Sequence, residues 1–166
     1  MKRELTLADV VGYMAQEVSF EKRDEEGNIG LRDICPPAVQ ALGKPVLRPM
    51  SDLYTKITER GYNDGKPFVP IMELVNLIGD VDSFQWVFQP ENRRVFSREY
   101  SWCFQWDFES RAFVLHDSPS ECVFGNIIPC MHNMYDFLHR LHFDYRGLIL
   151  AGLAVSVHDL PTNPYE

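Results

Sequence analysis

No uninterrupted apolar run of about 18 residues occurs in the 166-residue chain, so it offers no membrane-spanning helix. Nor does the chain contain a Cys-x-x-Cys pair or a low-complexity tract, which removes the common zinc-ribbon patterns and the compositional signature of disorder. The glycine pair in Gly61-Tyr-Asn-Asp-Gly65 has no adjoining lysine-serine pair, and a phosphate-cradling loop is excluded with it. Basic residues are in deficit: 16 Lys and Arg face 24 Asp and Glu, and the net charge of -8 repels nucleic-acid phosphates on average. Arg93, Arg94 and Arg98 form the one local basic cluster and read as solvated protection of a hairpin edge. The opening Met-Lys-Arg-Glu-Leu-Thr-Leu runs into Asp9 and Glu17 instead of an apolar segment and does not read as a secretory signal. Four scattered cysteines, Cys35, Cys103, Cys122 and Cys130, are expected as free thiols in a reducing cytoplasm.

What the chain does have is aromatic residues in alternation. Tyr100, Trp102, Phe104, Trp106 and Phe108 recur at every second position, and Phe84, Trp86 and Phe88 repeat the device upstream. Period two puts such residues on one face of an extended strand. Three strands are predicted, at about 84–89, 95–108 and 111–116, joined by tight connections into an antiparallel meander with an aromatic face.

Around this meander the spacing turns helical. Thr6 with Asp9 resembles a capping box for a short helix ending near Glu17, and residues 18–22 and 29–34 flank a charged Gly-Asn turn as a hairpin. Lys44 to Pro49 must be extended between its prolines. Ser51 is placed to cap a helix from Asp52 to about Arg60, and Pro70 to open another with Ile71, Leu74, Val75 and Ile78 on one face. Met134, Leu138, Leu141, Tyr145, Leu148 and Ile149 predict one long C-terminal helix to about Ala151, some 27 Å long. Gly147 within it marks close packing or a local break, Gly152 suits its C-cap, and Leu153 to Val157 suits a final strand. The expected fold is α+β, a single domain over 1–166 with an N-terminal subregion 1–80 and a meander-plus-helix region 81–166. In it the long helix covers the aromatic face.

Two blocks, Lys44-Pro-Val-Leu-Arg-Pro-Met-Ser-Asp-Leu53 and His142-Phe-Asp-Tyr-Arg-Gly-Leu-Ile-Leu-Ala-Gly-Leu-Ala154, resemble matching blocks in a family of small uncharacterised proteins encoded by phages, prophages and mobile elements of Bacteroides-type gut bacteria. They make up about a seventh of the chain. The resemblance implies a bacterial or phage cytoplasmic setting and no particular chemistry. The segment from about Asp80 to Cys130 lies outside it.

Candidate chemistry is sparse. Trp86, Trp102 and Trp106 could form a stacking platform for a carbohydrate or single-stranded nucleic acid, or a partner-binding face, against the plainer reading that they are core. Cys130, His132, His139 and His142 carry metal-ligating side chains, yet Cys-x-His followed by His-x-x-His matches no common zinc spacing. His116-Asp117 with Ser118, Ser120 and Cys122 has the residue types of a nucleophile, base and orienting acid, but adjacent strand residues point to opposite faces. No catalytic residue, metal or cofactor is assigned, and whether the chain is an enzyme is left open. The expectation is a non-catalytic protein that binds an unidentified protein partner or a second copy of itself, with no membrane role and with nucleic acid disfavoured by the charge. A metal-dependent or hydrolytic enzyme using the His116 to His142 region is one alternative, and carbohydrate or single-stranded nucleic-acid binding on the aromatic sheet face is the other.

Overall fold

The computed structural model describes residues 3–14, 16, 18–23, 29–32, 43–78, 85–98, 102–117, 122–123 and 131–166. It is an α+β protein whose chain divides into two compact units, Met1–Met50 with Asp136–Glu166, and Ser51–Tyr135.

The first unit begins with α1, Leu7–Met14. Asp9 draws the start of the helix together, its carboxylate accepting from the Thr6 amide at 2.9 Å and hydroxyl at 2.7 Å and pairing with Arg3. One half of the expected capping box is thus present, while the Asp9 amide donates to the Thr6 carbonyl at 3.1 Å and not to its hydroxyl. Strands β1 (Phe20–Arg23) and β2 (Ile29–Arg32) pair antiparallel in the predicted hairpin, and β3 (Lys44–Leu47) joins β1 on the other side. The last strand, β9 (Val155–Ser156), runs parallel to β3 and completes the sheet in the order β2-β1-β3-β9. Tyr13, Val18, Phe20, Leu47, Leu148, Leu153 and Ala154 form its main core.

The long C-terminal helix is not formed. Helix α3 spans Met131–Arg140, and the next residues close it with a Schellman motif: the His142 amide donates to the His139 carbonyl at 3.0 Å and the Phe143 amide to the Leu138 carbonyl at 2.8 Å. His142 occupies the left-handed position, φ 61°, that glycine usually fills. A second closure of the same kind follows, with Gly152 at φ 70° and the Leu153 amide bonded to the Leu148 carbonyl. The apolar spacing did identify buried residues, because Met134, Leu138, Leu141 and Leu148 are all fully buried. They are reached by a helix and a separate capped turn, with the chain reversing at His142 and again at Gly147, φ 71°.

Where the second unit begins, the helix expected from Asp52 to Arg60 is replaced by a 3-10 turn, Met50–Tyr54. Ile57 then pairs with Phe68 in an antiparallel bridge through two backbone hydrogen bonds, which holds that stretch extended. Helix α2, Pro70–Val75, starts on its proline as predicted and lies against the meander. That meander has five strands, β4 (Trp86–Gln89), β5 (Arg94–Ser97), β6 (Trp102–Asp107), β7 (Ala112–Asp117) and β8 (Cys122–Val123), all antiparallel in sequence order. The span predicted as one strand at 95–108 supplies both β5 and β6, which pair with each other.

Pairing of Phe88 with Val95, Val95 with Phe104, and Trp106 with Phe113 puts these residues on one face, with Trp86 and Trp102. Phe104, Trp106 and Phe113 are buried there, and Phe113 stacks on Phe104 at 5.4 Å and meets Trp106 edge-on at 5.0 Å. Tyr54 covers part of the same face, its ring 6.5 Å from Phe88 and its hydroxyl accepting from the Trp106 amide at 2.8 Å. Burial pushes the Tyr54 phenol up to about 12.

Candidate functional site

Three buried polar residues of the first unit, Arg48, His142 and Asp144, meet through their backbones where β3 leaves the sheet. Arg48, 1% exposed, sits one residue past β3 in a segment held extended by Pro45 and Pro49. Its amide donates to the His142 carbonyl and its carbonyl accepts from the Asp144 amide, both at 2.8 Å, so Arg48 and Phe143 form a parallel bridge. The two sequence blocks at 44–53 and 142–154 therefore meet in space. β3, at the start of the first block, pairs with β9, which begins just past the end of the second.

Around this bridge each side chain with chemical potential engages the backbone or another ring. Tyr13 reaches from α1 and donates its hydroxyl to the Phe143 carbonyl at 2.7 Å, and burial pushes its phenol pKa upward. The Asp144 carboxylate accepts from the Leu148 amide at 2.7 Å and the Ile149 amide at 2.8 Å, capping the turn that the second closure ends. Tyr165 donates to the Val46 carbonyl at 2.6 Å and accepts from the Ser19 amide at 3.2 Å, and its ring lies flat on the His142 imidazole at 3.8 Å. The Arg48 guanidinium is 5.7 Å from the centre of the same Tyr165 ring.

His142 Nε2 lies 2.7 Å from the Gln16 carbonyl, which can only accept, so this nitrogen carries the proton of the neutral ring. Burial, reinforced by the nearby Arg48 charge and partly opposed by the Gln16 bond, lowers its pKa to about 4. The unfolded chain binds this proton near pH 6.5 and the folded protein only near 4, so stability is complete above 6.5 and falls as pH drops through that window. The expected loss by pH 4 is about 3 kcal/mol from this group. Urea unfolding at pH 7, 5.5 and 4.5 checks it. The slope should shrink in His142→Asn, whose side chain tolerates the left-handed backbone, to the part that His139 contributes, and an unchanged slope in that variant would assign it elsewhere.

Among the described residues, those singled out by sequence are not brought together into a reactive group. Trp106 is buried at 3% exposure, while Trp86 and Trp102 are half-buried on the same sheet face. A stacking platform needs ring faces open to solvent, and Trp106 supplies none. His132 is exposed, His139 contacts Tyr145 and Tyr13, His142 contacts Gln16 and Tyr165, and Cys130 lies outside the described residues. Among the described residues no three His, Cys, Asp or Glu side chains gather to hold a metal ion. His116 is half-buried on β7, Asp117 pairs with Cys122 in the ladder, and Ser118 and Ser120 fall outside the described residues. Cys103 is a buried free thiol, and burial raises its pKa. Among the described residues no helix is long and apolar enough to cross a membrane. Arg93, Arg94 and Arg98 are exposed around the β4–β5 hairpin, and the Arg93 guanidinium lies 5.8 Å from the Phe108 ring centre.

Arg48, Tyr13, Asp144 and Tyr165 were not foreseen as a cluster. One signal was present: a charged residue between two prolines in an otherwise apolar segment, and an aspartate inside an apolar helical stripe, are each costly unless partnered. No known protein family, curated protein or solved structure matches the chain.

Proposed function

We propose that the chain is a non-catalytic protein of phage or mobile-element type that acts in the bacterial cytoplasm by binding another protein. The observation that supports this reading most is the use made of the buried ionisable groups. Asp144, His142, Tyr13 and Tyr165, which a hydrolytic site would recruit, are each spent on a backbone amide or carbonyl of their own unit. The pairing of the two family-like blocks in one structural joint fits a shared scaffold better than a shared reaction. Surface for a partner is present on α1, where Leu7 and Val11, one turn apart, are each 54% exposed.

The test is affinity capture of the tagged full chain from lysate of a Bacteroides-type host, with native mass spectrometry of the purified protein alongside. A captured protein lost on Leu7→Glu with Val11→Glu, from a sample whose own mass is metal-free, is the expected result. A copurified metal that His139→Ala and His142→Ala release would favour the enzyme reading instead. A mass at a multiple of 19.3 kDa would make the partner a second copy.

A further inference from the structure

Beside the Arg48 joint, and separate from it, a chain of three side chains ties α1 to the segment after α3. Arg146 donates from Nε to the Tyr145 hydroxyl at 2.9 Å and from a terminal nitrogen to the Ala8 carbonyl of α1 at 2.8 Å. The Tyr145 hydroxyl lies 2.9 Å from His139 Nε2. With Arg146 donating to the tyrosine oxygen, the arrangement that uses every group has Tyr145 donating its own proton to an unprotonated His139 Nε2. α1 makes room for this ring with Gly12, an unfavourable residue in a helix interior, since a side-chain carbon there would run into the imidazole. Tyr13 from the next position packs edge-on against it at 5.0 Å.

We propose that His139, Tyr145 and Arg146 form a proton-sensitive latch that holds α1 to the segment after α3 while His139 is neutral, and releases α1 when His139 is protonated. A protonated Nε2 would turn a donor toward the Tyr145 oxygen that Arg146 already uses, and would set a second positive charge beside the guanidinium. The groups facing His139 are Tyr13 from α1, Tyr145 and Arg146 from the following segment, and Asp136 one turn back on its own helix. Burial and the Arg146 charge lower the His139 pKa, against a smaller opposing pull from Asp136. The latch is therefore fully closed above the ordinary histidine range, near pH 6.5, and opens as pH falls through the lowered value. Opening would bare Val10 and Tyr13, now buried on the inner face of α1.

Hydrogen exchange of the α1 amides in the full chain, corrected for the intrinsic effect of pH and followed from pH 7.5 to 5, tests this directly. Protection in the native protein should fall with pH, by about tenfold for each pKa unit between the latched and released states of His139. His139→Gln, which can still accept from Tyr145 but does not titrate in this range, should show no such fall. Tyr145→Phe should weaken α1 protection already at pH 7.5 and move the His139 titration, read from its ring proton by NMR, toward the ordinary value. Flat protection in the native protein would overturn the proposal, as would an equal fall in His139→Gln. Because His142 also lowers stability between pH 6.5 and 4, native protein and His139→Gln are compared in the His142→Asn background, which removes that contribution, while Asp9 titrates below the ordinary aspartate value of 3.8 and beneath the window used.

Discussion

Phe113→Ala is expected to destabilise the Ser51–Tyr135 unit by about 3–5 kcal/mol, the range for removing a large buried aromatic side chain. Phe113 is fully buried and touches Phe104, Trp106 and Tyr135, at ring-centre distances of 5.4, 5.0 and 6.3 Å. Its neighbours on the sheet are fixed by the β6–β7 register, so the void cannot collapse without breaking that ladder. All three tryptophans, Trp86, Trp102 and Trp106, belong to this unit, and tryptophan fluorescence during urea unfolding reads its stability without contribution from the other. The midpoint should fall sharply. A shift of less than about 1 kcal/mol would mean that the aromatic face is not the core of this unit.

That face was legible in the sequence because strand periodicity is strict. Trp102, Phe104 and Trp106 must share a face in any strand, and so must Trp86 and Phe88. What the pattern could not show is that β5 stands between the two aromatic runs, since Arg94–Ser97 alternates only weakly and had been merged with β6. The C-terminal region failed for a different reason. Its apolar residues keep helical spacing and most are buried, but the helix is ended by His142 in a left-handed conformation uncommon outside glycine, even though histidine enters it more readily than most residues. Nothing local announces this. The conformation is held by contacts distant in sequence, with Gln16, Tyr165 and Arg48, which no window of neighbouring residues contains. The same distance hid the candidate site: Tyr13, Arg48, Asp144 and Tyr165 are spread over nearly the whole chain and are joined through the Arg48–Phe143 bridge and the backbone beside it.

The second large effect is expected at Asp144. Its buried carboxylate accepts two amides, those of Leu148 and Ile149, and alanine would leave both without that acceptor. Charge-assisted bonds to backbone amides, together with the penalty of leaving buried donors unmade, give an expected loss of about 2–4 kcal/mol. Because the Asp144 amide itself is bonded to Arg48, loosening this turn should also weaken the β3–β9 pairing beside it.

Asp144→Ala also separates a structural joint from an active site. Residues kept for chemistry are commonly held at a cost to stability, and replacing them tends to leave the fold unchanged or firmer. Equilibrium urea unfolding followed by far-ultraviolet circular dichroism, with hydrogen exchange read at the Leu148 and Ile149 amides, decides between the two. A lower midpoint with faster exchange at both amides is the result expected of a scaffold. Unchanged or raised stability, with both amides still protected, would contradict it and make Arg48, His142 and Asp144 catalytic candidates.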